Sequence, residues 1–338
     1  MENYYAQLKD WGPPVSFADT KPLVATEDVK RAASAKRTAN AQAKLDAVQK
    51  RFSGPYQVEI NGKRVPVQAS PQFRINGPTD KTTTDELVKI CTKAGIPKST
   101  INHACIGRPT PQELVKVTQA LIDAGKLPPE SLSGDTIDKR IRQMQYQWGI
   151  GVDCAGYVRE AAVAVHGKGA QSLVNGANRY GAIHRLLQTP AFKKVAFKKD
   201  DDPKVHNIRD IRAGDIIHLD SPGRDVGHNV IVHSHEIATD ATRKELSARN
   251  VSPHDEFQSF LNRKGPIHVL NVDSSWGVDK GGVDHAGCRC DTWFYDESSG
   301  EWGSIIPSSS SDTPTFSQSK YGPYEHVFKD VFRPASAK

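Results

Sequence analysis

Residues 146–161, YQWGIGVDCAGYVREA, set an acidic residue and a cysteine between a glycine-rich approach and a helical pattern over 154–166. A thiol attacks carbonyl carbon as the thiolate, and its free pKa of about 8.5 has to fall for work near neutrality. The first turn of a helix offers unpaired N–H groups and the positive end of the helix dipole, which favour that thiolate and later an oxyanion. Cys154 stands at such an end, which makes it a candidate nucleophile; the alternative is a small buried thiol at a helix start. Gly149 and Gly151 allow a tight approach loop, and Ala155 with Gly156 allow the helix to pack closely against a sheet.

A thiol nucleophile needs a histidine that takes and returns its proton, and the fold can bring that residue from far along the chain. Residues 212–235, RAGDIIHLDSPGRDVGHNVIVHSH, read as a turn at Gly214-Asp215, a strand, a polar loop, and a second strand opened by Gly227-His228. A histidine at a strand start can project toward a helix terminus, so His228 is the candidate base. His218, His233 and His235 fall within strands and read as surface or packing residues. Further strand patterns occupy 267–275 (IHVLNVDSS) and 291–305 (DTWFYDESSGEWGSI), the second a hairpin around Ser-Ser-Gly. Residues 241–264 read as an inserted helix, and 304–321 as a Ser/Thr/Pro-rich loop without core residues. Helices first and antiparallel strands after predict an α+β fold.

Upstream, 26–52 is rich in Ala, Lys, Gln and Arg and predicts a helix with a weak apolar stripe. YQVEINGKRVPVQ, residues 56–68, alternates around Asn61-Gly62, a strong hairpin signal. Residues 82–96 and 110–125 each combine a threonine cap, early acids, helical apolar spacing and a terminal glycine, so two helices are expected. Cys91 sits on the apolar face of the first, as a buried structural thiol would. A further helix is expected over 136–147. The expected organisation is an N-terminal helical extension with a small hairpin over 1–135, for delivery, recognition or regulation. A catalytic domain over 136–336 follows, with an insertion at about 236–264.

Composition bounds the function classes. The 338 residues are 37% hydrophobic, and no run approaches the roughly 18 apolar residues that span a bilayer. The first residues, MENYYAQLKDWGPPVSFADT, have neither a basic nor an apolar signal-peptide region, so export would need a specialised machine. The net charge of +6 is mild, and KKVAFKKDDDPK, residues 193–204, reads as a solvated loop rather than a nucleic-acid patch. Five cysteines form no disulfide framework, which fits synthesis in a reducing compartment.

Four blocks together carry a resemblance: Tyr146-x-Trp148-Gly149, Asp153-Cys154-Ala155-Gly156-Tyr157-Val158, Ala213-Gly214-Asp215-Ile216-Ile217, and Gly227-His228-Asn229-Val230-Ile231-Val232. In order and spacing they resemble the NlpC family of papain-like cysteine peptidases, many of which cut peptidoglycan peptides, over about residues 136–336. The resemblance implies a helix-borne Cys154 nucleophile packed on an antiparallel sheet that carries His228 as general base. It also implies that Tyr146 lines the site, and Asp153 and Trp148 join it as substrate or oxyanion residues. In the family a polar residue on the next strand orients the base. Here the insertion intervenes, and Asp273, which could accept from His228 Nδ1–H and stabilise imidazolium, is preferred over Asn271, Ser274 and His268.

A second cluster, DHAGCRCD over 284–291, brings His285, Cys288 and Cys290 together. Zinc, a redox pair and a loop beside the active site are the competing readings, and the last is adopted, so neither metal nor cofactor is expected. The expected function is a cysteine hydrolase of an amide bond in peptidoglycan peptides. In that setting the chain would be an exported antibacterial effector or toxin, acting in a target cell or periplasm, with an immunity or delivery partner and no nucleic-acid partner. The alternatives are a papain-like effector that deamidates, transglutaminates or acyl-transfers on a protein target, and a non-enzymatic binding protein stapled by zinc or a disulfide.

Overall fold

The computed structural model describes residues 27–336 except 72, 74–76, 131–135, 200–201, 203, 221–226, 277–286, 307–312 and 324–325. The chain divides into a first unit, Met1–Arg37, and a second, Thr38–Lys338. The second unit is mixed α and β, and its nine-stranded sheet is antiparallel at every pairing of its strands.

Helix α1 (Glu27–Ser53) buries Ala41, Leu45, Val48 and Phe52, a spacing of three and four residues that forms one stripe. The hairpin of β1 (Tyr56–Ile60) and β2 (Lys63–Val67) turns at Asn61 and Gly62 with φ of 52° and 74°. Both values lie in the left-handed region that Asn-Gly tolerates, as the alternation predicted. Helices α2 (Lys81–Lys93), α3 (Lys98–Cys105) and α4 (Pro111–Asp123) follow. Thr110 caps α4 in a reciprocal box with Glu113, as expected, but α2 is capped by Asp80, whose carboxylate accepts from Thr83 N–H. The Gln119 side chain of α4 exchanges two bonds with the Glu59 backbone of β1, docking hairpin and helices together.

Helices α5 (Ile137–Gln147) and α6 (Cys154–His166) lead into two 3-10 segments, Gly167–Leu173 and Gly176–Arg179, and a short α7 (Ile183–Leu187). The strands then run β3 (Phe192–Lys198), β4 (Val205–His206), β5 (Ile216–Asp220) and β6 (His228–Ile237). The insertion is two helices, α8 (Asp240–Ser247) and α9 (His254–Leu261), rather than one. After it come β7 (Ile267–Trp276), β8 (Gly287–Asp296), β9 (Trp302–Ile306), β10 (Thr315–Ser319) and β11 (Val327–Pro334). The order across the sheet is β10-β9-β8-β7-β6-β5-β11-β3-β4.

Side-chain alternation divides the sheet. Ile216 and Ile231 pack with Ala155, Val158, Ala161 and Ala162 of α6, in a core that also holds Leu45, Leu87, Leu114 and Leu121. The helices before residue 135 therefore share one core with α6 instead of forming a separate extension. Ile217, Val230, Val232 and Val272 turn to the opposite face, with Trp293, Trp302 and Phe328. Helix α9 covers the far end through Phe257 and Phe260 against Phe294 and Phe316. Phe316 belongs to the segment expected to lack core residues. Likewise, part of the expected solvated loop is β3, whose Phe192 and Ala196 are buried beneath flanking lysines.

Candidate functional site

Cys154 is the first residue of α6 and is 8% exposed. Asp153, the N-cap, accepts the Gly156 N–H with one carboxylate oxygen and pairs with Arg108 Nε at 3.4 Å through the other. Burial outweighs these partners and lifts the Asp153 carboxyl to about 6. Asp153 therefore acts on the thiol from the cap of its helix. Gly156 backs onto the chain at 107–108, not onto the sheet: a Cβ there would lie 2.2 Å from Gly107 O and 3.0 Å from Arg108 Cα. Gly149, at φ 62°, faces the same kind of close approach, since a Cβ there would lie 2.2 Å from Pro78 N.

The sulfur of Cys154 receives hydrogen bonds from the Ala155 N–H and from both the backbone N–H and the side-chain amide of Asn229. Burial first, and the Asp153 carboxylate second, nevertheless push the thiol up to about 12, so the resting group is a neutral thiol. Asn229 is the second residue of β6. Its Oδ1 lies 3.0 Å from His218 Nδ1 on β5, and His218 Nε2 is 3.2 Å from Asp220 Oδ1. His218 also stacks on His184 at 5.4 Å. A line of polar groups thus runs from Cys154 through Asn229 to His218. His218 was expected to be a surface or packing residue and Asn229 only stood in the block that carries the resemblance; neither was expected at the thiol, although Asn229 shares a strand face with Ile231 by simple alternation.

His228 opens β6 beside Asn229, and its side chain is directed to the Trp276 side, 4.2 Å between centroids, with His326 stacked at 5.7 Å. Its Nε2 is buried and has no hydrogen-bond partner among the described residues. Burial, then the neighbouring His326, Arg289 and His218, hold its pKa well below the ordinary value, so the ring is a free base.

The expected partnership of His228 with Asp273 is replaced. Asp273 Oδ2 lies 3.0 Å from His233 Nδ1, because Asp273 pairs across from Ile231 and shares the α6 face with His233. The other residues weighed for that role are also engaged elsewhere. Asn271 bonds Ser234 and Thr292, Ser274 donates to Asn229 O, and His268 lies between His235 and Glu297. Tyr146 is 45% exposed at the end of α5, whereas Trp148 is nearly buried beneath Lys126. All five cysteines are free thiols. Cys288 is buried and bonds Ser275, and Cys290 is exposed and directed at the Asp273 carboxylate. His285 lies outside the described residues. Among the described residues no helix is long and apolar enough to cross a membrane. Against known proteins, no family model matches the chain, and no curated protein or solved structure matches it significantly.

Proposed function

We propose that this chain is a cysteine hydrolase of amide bonds with a papain-like, NlpC-type catalytic core, and that peptidoglycan peptides are its substrate class. The observation that carries the proposal is the seat of Cys154. Its sulfur, at the first residue of α6, faces three N–H donors from Ala155 and Asn229, and Asn229 joins it to His218 on the same face, while His228, the residue before Asn229, turns its ring to the Trp276 face.

Because the resting thiol is neutral, the proton moves during attack and not before it. The resemblance assigns His228 as the imidazole that takes the Sγ proton as sulfur bonds to the carbonyl carbon, although its ring lies on the Trp276 face of the sheet, and the N–H donors at Ala155 and Asn229 hold the charge that develops. The imidazolium then protonates the departing amine, leaving a thioester on Cys154. Water, deprotonated by the imidazole, attacks that thioester and releases a carboxylate, with the thiol restored. His218 supports a second assignment of the base, since it is joined to the Cys154 site through Asn229. An amine in place of water turns the same intermediate to acyl transfer. In the antibacterial setting the chain acts as an exported effector paired with an immunity or delivery protein.

Digestion of purified peptidoglycan by the wild type, Cys154→Ala, His228→Ala and His218→Ala, with mass spectrometry of the products, tests this. New amine termini from the wild type, absent with Cys154→Ala, are expected, and the histidine variant with the greater loss identifies the base. Intact muropeptides from wild type would remove the substrate class. Equal product from Cys154→Ala would remove the nucleophile.

A further inference from the structure

One helical turn beyond Cys154, a different set of side chains meets between α6 and the sheet. Asp273 on β7 is the direct cross-strand partner of Cys290 on β8. On β6 the register shifts between Val232 and Ser234, leaving His233 in the bulge. Bulges re-aim the side chain they carry, and this one sets His233 Nδ1 3.0 Å from Asp273 Oδ2. One ligand atom each from His233, Asp273 and Cys290 all lie within 4.8 Å of one another. Ligands at about 2.0 Å for N and O and about 2.3 Å for S, disposed tetrahedrally, stand roughly 3.3–3.6 Å apart, so the set needs only small adjustments to close on one ion.

Two observations suit this set to a cation. Asp273 is fully buried, yet its Oδ1 has no hydrogen-bond partner among the described residues. The hydroxyl of Tyr157, buried on α6 with Asp273, Cys288 and Cys290 among the groups around it, is likewise unpartnered. Buried polar atoms left in this way carry a desolvation cost that a cation and its bound water would relieve. The far nitrogen of His233, Nε2, lies 3.5 Å from Asp46 Oδ1 on α1. A carboxylate behind the remote nitrogen of a ligating histidine fixes the tautomer that leaves Nδ1 free to bind metal.

We propose that His233, Asp273 and Cys290 form a site for one zinc-class divalent ion, with Asp46 orienting His233 and a fourth coordination position left to water on the exposed Cys290 side. The mixed N, O and S donors suit zinc and disfavour calcium or magnesium, which take oxygen ligands. The site is independent of hydrolysis at Cys154.

The test is equilibrium dialysis of the full-length, reduced protein against zinc, read by elemental analysis, with cobalt(II) as a spectroscopic substitute. The expected result is one tightly held ion per chain in wild type, and a thiolate-to-cobalt charge-transfer band that disappears in Cys290→Ser. Asp46→Asn weakens binding roughly tenfold, and loss of Asp273 or Cys290 weakens it more. Cys290 is exposed, so Cys290→Ser keeps the fold and decides the matter even where Asp273→Asn fails to fold. No stoichiometric zinc in wild type, or equal zinc and cobalt binding in Cys290→Ser, overturns the proposal.

Discussion

Alkylation of Cys154 as a function of pH separates a neutral resting thiol from a pre-formed thiolate–imidazolium pair. Burial, and then the Asp153 carboxylate, push the thiol from its ordinary value of about 8.5 up to about 12. Each unit is a factor of ten in thiolate fraction, so iodoacetamide at pH 8 should modify native Cys154 about a thousandfold more slowly than the same residue in the urea-unfolded chain. Access at 8% exposure can only slow it further. The rate constant, followed by mass spectrometry of the peptide containing residue 154, should rise about tenfold per pH unit from 6 to 10 without a plateau. Asp153→Asn keeps a side-chain oxygen for the Gly156 N–H and removes the like charge, so it should speed modification at every pH above about 6, where Asp153 is ionised. A plateau below pH 8, or complete labelling at pH 6, would refute the reasoning: the sulfur would then already have passed its proton to a histidine.

Acid should destabilise the fold through His228. Its folded pKa is depressed by burial while the unfolded value is near 6.5, so its contribution is complete above 6.5 and is lost as pH falls. Burial depresses His235 and other histidines as well, so in urea unfolding at pH 5 against pH 7.5 the wild type should lose on the order of 2 kcal/mol more than His228→Asn; an identical loss in both would place the acid sensitivity elsewhere. Gly156→Ala drives a Cβ into backbone at 107–108 and should cost about 1–3 kcal/mol in thermal unfolding, despite alanine's higher helix propensity. A gain in stability would mean that this loop yields. Asp215 holds Arg333 through two bonds of 2.6 Å, and both side chains are buried. Asp215→Asn should therefore cost about 3–5 kcal/mol in denaturant unfolding, and pairing it with Arg333→Met should recover much of that; equal losses in single and double variants would contradict an unpaired-charge origin.

The elements that were legible are those with local causes. The Asn61-Gly62 hairpin follows from two residues that accept positive φ, and α4 from a cap, a capping glutamate and an apolar stripe. Strands β3 and β11 were not legible because lysines and an aspartate occupy their outer positions: Lys193, Lys194 and Asp330 hide short buried sets such as Phe192, Ala196 and Val331. β10 was missed because its one core side chain, Phe316, lies in a serine-rich run and gains its partners from α9.

At the site, the sequence by itself determined that a helix begins at Cys154, whereas Asp153, expected among the substrate or oxyanion residues, is the cap of that helix and accepts from the N–H three positions on. It also determined that a strand opens at His228 and runs alongside its neighbour from 216–220. Tertiary structure alone decided which side chains meet. Asn229 at the sulfur, His218 behind it, and the pairing of Asp273 with His233 instead of His228 depend on strand register, where a shift of one residue reverses every face. The meeting of His233, Asp273 and Cys290 depends further on a bulge, which no residue pattern in β6 announces. Local hydrogen bonding writes helix ends into the sequence, whereas register is chosen by the packing of both sheet faces at once.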